Sequence, residues 1–254
     1  MSLKNVKVLT ISQSIQPFMD GPEEMAKVAR QLPQGILECG NEIRVFMPKF
    51  GCINERRHQL HEVIRLSGMN LIINDTDHAL LIKVASVPSA RMQVYFIDNE
   101  EYFKRKADTH DAEGNFFPDN DERALFFGRG VLETVRKLGW VPDIIHCHGW
   151  MTAFVPLYVR HHFADDPHFE NTKLVFSVYD QKPEALDKDL AKKLAMEGFD
   201  KELFKGLAKP TTDDLVKFGM GLSDAVVRSS AKLSKAMETA VKAMDKPVMA
   251  HAAE

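Results

Sequence analysis

The chain has 254 residues, 44% of them hydrophobic and 27% charged, and 33 Lys and Arg against 36 Asp and Glu leave a formal net charge of -3. That balance fits a globular chain with a sizeable core, and it offers neither a basic block for nucleic acid nor an acidic disordered tail. No apolar run approaches the roughly 20 residues of a membrane-spanning helix, the opening Met1-Ser2-Leu3-Lys4-Asn5 runs straight into a strand too short for a signal-peptide core, and Cys39, Cys52 and Cys147 are widely spaced, so reduced thiols in a cytoplasmic protein are expected.

Lys7–Ser12 reads as a short apolar strand, followed by a polar loop, Gln16-Pro17-Phe18-Met19-Asp20-Gly21-Pro22. Residues 23–37 place Met25, Val28, Leu32, Ile36 and Leu37 at helical spacing, with Pro33 as a kink or restart, and residues 42–47 form the next strand. This is a right-handed βαβ unit with parallel strands. Between residues 60 and 117 the texture changes. Leu71-Ile72-Ile73, residues 80–84 and residues 92–97 are β-rich runs separated by turn residues, read as an antiparallel insertion or sheet extension, and residues 104–117 as a polar loop.

From Asp119 the alternation returns. Residues 121–138 form an amphipathic helix capped by Asp119 or Asn120, 143–147 a buried strand, 150–162 a helix and 173–178 another buried strand. Residues 186–206 read as a pair of helices, 213–221 as a helix, 224–227 as a strand and 231–244 as a helix. The expected architecture is one α/β domain over residues 1–254, with a Rossmann-like, doubly wound, mostly parallel sheet and a β-hairpin insertion at about 60–117.

In such a sheet, ligands bind beyond the carboxyl ends of the strands. Three loops there carry unusual residues: Gln13 to Pro22, His146-Cys147-His148-Gly149-Trp150, and Tyr179-Asp180-Gln181-Lys182. His146 and His148, at i and i+2, can face one side of a strand end. No third ligand completes a zinc set, so one histidine bonding backbone in the core and the other facing the cleft is expected, and no metal. Cys147 reads as a small buried hydrophobe rather than a nucleophile. The first loop has only Gly21, Pro22 supplies no N–H, and Asp20, Glu23 and Glu24 put three carboxylates where a phosphate would sit.

Several segments carry a resemblance. Asp119-Asn120-Asp121-Glu122-Arg123-Ala124-Leu125-Phe126-Phe127 and Leu138-Gly139-Trp140-Val141-Pro142-Asp143-Ile144-Ile145-His146-Cys147-His148-Gly149-Trp150 closely resemble bacterial glycogen and starch synthases. So do Pro17-Phe18, Leu32-Pro33, Pro48-Lys49-Phe50-Gly51, the stretch from Val94 to Phe103, and Gly221-Leu222-Ser223-Asp224-Ala225-Val226 with Ser229-Ser230. The match runs in order from about residue 7 to residue 235. The resemblance implies the N-terminal half of a two-domain GT-B glycosyltransferase that uses ADP-glucose and an α-glucan, with the C-terminal domain left to a possible partner protein.

The departures shape the expectation. The family's Lys-x-Gly-Gly-Leu-Gly-Asp loop is here Met19-Asp20-Gly21-Pro22-Glu23-Glu24-Met25-Ala26. The aspartate of its His-x-His-Asp-Trp is Gly149, and its His-Asn, whose histidine contacts the transferred glucose, is Tyr179-Asp180. The chain is therefore expected to be inactive alone, with no catalytic residue assigned and no cofactor. It is expected to be a non-catalytic glucan-binding or regulatory module, or half an enzyme. Candidate glucan or cleft residues implied by the resemblance are Asp20, Gly21, Tyr95, Asp119, Asn120, Arg123, His148, Gly149, Trp150, Tyr179 and Asp180.

Overall fold

The computed structural model describes residues 5–207 and 209–251. In chain order the elements are β1 (Lys7–Ser12), α1 (Glu23–Glu38), β2 (Glu42–Pro48), α2 (Glu55–His58), β3 (His61–Glu62), β4 (Met69–Ile73), β5 (Thr76–Val87), β6 (Met92–Asp98), α3 (Glu100–Phe103) and α4 (Asn120–Leu138). There follow β7 (Ile144–His148), α5 (Phe154–Leu157), β8 (Lys173–Val178), α6 (Leu190–Met196), α7 (Thr212–Leu222), β9 (Ala225–Arg228), α8 (Lys235–Lys242) and β10 (Val248–Met249).

The strands lie in the order β10-β9-β8-β7-β1-β2-β6-β5-β3, with β4 paired to β5. From β10 to β6 every pairing is parallel. Leu9, Thr10, Ile11 and Ser12 are consecutive and all fully buried, so β1 is covered on both faces, as a central parallel strand must be. Chain order runs outward from β1 through β2 on one side and resumes at β7 on the other. The topological switch point is therefore the crevice beyond β1 and β7, where ligands of such sheets sit.

The middle of the chain differs from the sequence reading. β6 is not part of an antiparallel insertion: it pairs parallel to β2, Val45 beside Val94, and antiparallel to β5. A strand buried on both faces, as Val94 to Asp98 are, belongs inside the sheet. The true excursion is the β4–β5 hairpin, turned by Asn74 and Asp75 at φ of 50° and 61°. Such a two-residue positive-φ turn matches the twist of the strands, and Asn and Asp tolerate it.

Other elements also shift. α1 runs through Pro33 without a break, but the face it buries is Met25, Ala26, Ala29 and Pro33, while Leu32 is exposed. Small residues let the helix approach the sheet closely, so apolar size misled the stripe. Residues 150–162 split into a 3-10 turn (Trp150–Thr152), α5 and a π turn (Tyr158–His162). Pro156, within that segment, has no N–H to give a regular ladder. Residues 186–206 hold one α-helix, α6, and a 3-10 turn (Lys201–Phe204), parted by Gly198 at φ 88°. α8 starts only at Lys235, where the Ser234 side chain accepts from the Met237 N–H. β10 was not expected.

Candidate functional site

The carboxyl ends of β9, β8, β7 and β1 stand side by side and carry the loops singled out above. They border a cleft of about 510 Å³ lined by Gln13, Gly21, Pro22, Trp150, Asp180, Gln181 and Lys182, with Asp108, Thr109, His110 and Phe116 from the loop before α4, and Glu184 and Thr212. Of the eleven candidates, Gly21, Trp150 and Asp180 line this cleft directly.

His146 and His148 do share one side of β7, their rings 4.0 Å apart. Their partners differ from expectation. His146 Nε2 pairs with Ser177 Oγ at 2.8 Å, and His148 Nδ1 with Tyr179 Oη at 2.8 Å, so both partners are side chains on or just beyond β8 rather than backbone. Burial pulls the His146 pKa down to about 4, and burial together with His146 holds His148 well below the usual range; both rings are neutral. His148 is fully buried, so it does not open onto the cleft, and its Nε2 has no partner. Among the described residues no three His, Cys, Asp or Glu side chains gather as a metal site would need. Burial also pushes the Cys147 thiol up, which leaves it protonated and a poor nucleophile.

Tyr179 is buried, with its hydroxyl turned inward onto His148, and burial raises its pKa. Asp180, next in sequence, is exposed, and its N–H donates to Ser230 Oγ at 3.0 Å. The Ser230 hydroxyl in turn donates to Glu24 Oε2 at the start of α1. A hydrogen-bonded strap thus crosses the mouth of the switch point from α1 to the ends of β9 and β8. The acid of this segment that reaches across to Ser230 is Glu24, in the first turn of α1. Asp20 lies in a separate small hollow with Gln16, Pro17, Arg30, Val87 and Ser89.

Gly149 has φ 85°, a backbone conformation that side chains resist. A Cβ added there would lie 2.7 Å from Met25 Cε and 3.2 Å from Gln13 Oε1. Met25, fully buried, therefore occupies the room that an aspartate at this position would need. Gln13 Oε1 is itself buried without a partner.

The remaining candidates are not brought into the cleft. Tyr95 is in the core of the β2–β6 wing, stacked on Phe46 at 5.0 Å. Asp119 sits at the N-cap of α4 but caps nothing with its side chain; it forms a two-pronged pair with Arg105 at 2.6 and 2.9 Å. Asn120 donates to the Thr109 carbonyl at 2.8 Å and accepts from Arg123 at 2.6 Å. Arg123 is fully buried among the rings of Phe50, Phe103 and Phe117 at 5.3, 5.3 and 5.5 Å. These three hold the 104–118 loop in place, and that loop supplies Asp108, Thr109, His110 and Phe116 to the cleft wall.

Sequence reasoning missed that wall. Phe116 meets Trp150 at 5.5 Å, and His110 meets Phe116 at 5.2 Å. The only sequence signal was an aromatic pair, Phe116-Phe117, inside an otherwise polar loop. Opposite lie Lys182 and Glu184, 3.2 Å apart, with His110 3.7 Å from the same carboxylate. Asp108, Asp180 and Glu184 against Lys182 and a histidine give a wall suited to hydroxyl-rich neutral molecules rather than to phosphates.

Comparison with known proteins agrees with this fold. A family model for the starch synthase catalytic domain matches residues 7–245. A glycogen synthase of Chlorobaculum parvum is 35% identical over 237 residues, covering 92% of this chain and 48% of the relative. One of Chlorobium chlorochromatii is 42% identical over 180 residues, covering 70% of this chain and 37% of the relative. The chain thus spans at most about half the length of these relatives. In structure it is similar to the catalytic domain of starch synthase IV from Arabidopsis thaliana, bound there to ADP and acarbose, with a TM-score of 0.77, 19% identity, and 98% of this chain and 51% of that one covered. The mostly parallel sheet flanked by helices is one half of a GT-B fold, and the chain belongs to the starch synthase catalytic domain family.

Proposed function

We propose that this chain is a synthase-type N-terminal domain whose cleft holds an α-glucan without transferring glucose from ADP-glucose on its own. The Glu24–Ser230–Asp180 strap carries this reading. Its carboxylate, Glu24, stands in the first turn of α1 and accepts from Ser230, so negative charge lies at the helix end where a diphosphate would need N–H groups and cations. The lysine lining the cleft, Lys182, is 84% exposed and already paired with Glu184. Little positive charge is thus set to meet a departing nucleoside diphosphate, and such preorganised charge is usually a large part of catalysis. Half-buried Phe116, backed by the buried Trp150, offers sugar rings an apolar surface on the cleft wall.

A second reading rests on the span of the match, about half of each relative. In it, the chain is half an enzyme and a separate protein supplies the C-terminal GT-B domain. Three parallel measurements decide. The pure protein is incubated with labelled ADP-glucose and glycogen, tested for co-sedimentation with glycogen, and assayed again with the separately produced C-terminal half of the Chlorobaculum parvum enzyme. Co-sedimentation without incorporation is the expected result. Incorporation by the chain alone would end the inactive reading, incorporation only with the added half would establish the second, and absence of glycogen binding would remove the first.

A further inference from the structure

At the opposite end of the sheet from the cleft, a hollow of about 320 Å³ is lined by Leu37, Asn41, Glu42, Ile43, Arg44, Arg91, Met92 and Gln93. Its polar side chains converge for a reason of register. β2 and β6 are parallel with Val45 beside Val94, so Arg44 and Gln93, one residue earlier on each strand, stand side by side and point to one face. Arg91 joins them from the end of the 3-10 turn Pro88–Ala90, at φ 49°.

Both guanidinium groups are left without acceptors among the described residues. Arg44 is half-buried, its Nε buried with no hydrogen-bond partner, and its planar group lies over the Trp140 ring at 5.6 Å. Arg91 is exposed and forms no ion pair. The nearby acid, Glu42, is engaged elsewhere: its Oε2 accepts from the Trp140 indole at 3.1 Å. Arg105, Arg136, Arg160 and Arg228 each pair with a carboxylate, which Arg44 and Arg91 do not among the described residues, although the Nε atoms of Arg105 and Arg228 are buried without a partner as that of Arg44 is. An orphaned buried donor calls for water or an ion, and two arginine forks are matched to a tetrahedral oxyanion.

We propose that this hollow, far from the cleft and independent of the reading given above for it, binds a phosphoryl dianion between Arg44, Arg91 and Gln93. The source of the dianion is inorganic phosphate or a phosphate monoester. The indole under Arg44 keeps its guanidinium in a fixed plane, and Arg91 closes the open side. Glu42 sets an upper limit on affinity through its like charge.

The test uses the whole chain and follows the Arg44 Nε–H resonance by nitrogen-15 NMR at pH 7.5. Titrants are inorganic phosphate in one arm, glycerol 3-phosphate in another, and sodium chloride at matched ionic strength as the third. Saturable shifts with phosphate or the ester, absent with chloride, are expected; tighter binding in the second arm identifies the monoester as the ligand, and tighter binding in the first identifies free phosphate. Arg91→Gly suits the positive φ, keeps the fold and should weaken binding about tenfold, the loss of one charge-assisted contact. Glu42→Gln keeps an acceptor for Trp140 and should tighten binding about threefold, by removal of a like charge. Shifts no different from chloride, or an affinity unchanged in both variants, would overturn the proposal.

Discussion

At the start of α4, Asp119, Asn120 and Arg123, in a segment that carries the family resemblance, turn inward, into a cage of ring faces and a bidentate ion pair. At the carboxyl ends of β1, β7 and β8, Glu24, Gly149 and Tyr179 lie about the switch point: Glu24 accepts from Ser230, Tyr179 bonds His148, and Gly149 packs against Met25. The first region shapes a loop of the cleft wall instead of lining the cleft. In the second, Met25 fills the place a side chain at residue 149 would need, and the Tyr179 hydroxyl engages the histidine beside that place.

This contrast can be broken at four points, beginning with the largest effect. Arg123→Ala should lower stability by roughly 3 kcal/mol, since it removes a buried cation, opens a void among Phe50, Phe103 and Phe117, and leaves Asn120 without its donor. Urea denaturation measures it, and glycogen binding should fall as the 104–118 loop loosens. A loss under about 1 kcal/mol would mean that the cage does not need its cation.

Gly149→Asp should cost about 2–3 kcal/mol through the Met25 contact and the positive φ. With Met25→Ala in the same chain the two changes should cost less than their sum, because they compete for one space. Strict additivity would show that the two positions are not coupled.

The pH dependence follows from His146, whose folded pKa of about 4 lies below the usual 6.5. As pH falls below about 6.5 the unfolded chain takes up this proton first, so stability is full above that value and is lost as pH drops toward 4. The loss should be on the order of 3 kcal/mol by then. His148 acts with the same sign. A chain with His146→Gln should show a shallower slope in the same window, read from denaturation midpoints at pH 4.5 and 7.5.

The smallest effect belongs to Tyr179→Phe, which removes the hydroxyl from His148 Nδ1 and should cost about 1 kcal/mol, the worth of one buried hydrogen bond. Glycogen co-sedimentation should be unchanged, because Tyr179 faces inward.

Much of the fold was legible in the residues. Runs such as Val8-Leu9-Thr10-Ile11 and Leu174-Val175-Phe176 read as buried parallel strands because little interrupts their apolar character. Gly139 at φ 62° marks the end of α4 in the sequence as in the structure. The segments that misled did so for local reasons. β6 looks the same whether its neighbour runs parallel or antiparallel. Ala26 and Ala29 carry less weight in an apolar stripe than Leu32, although close approach to a sheet favours the smaller residues.

The sequence by itself determined the family, the doubly wound sheet and the three loops at the carboxyl ends of its strands, since all of these lie in motifs whose spacing is local. Only the tertiary structure decided what those loops do together. That Glu24 rather than Asp20 reaches Ser230, that Tyr179 turns inward to His148, and that Asp119, Asn120 and Arg123 support the cleft wall instead of lining it are contacts between residues as far as 206 positions apart. Side-chain direction at such separations is set by the register of strands and the approach of helices, which no short window of sequence contains.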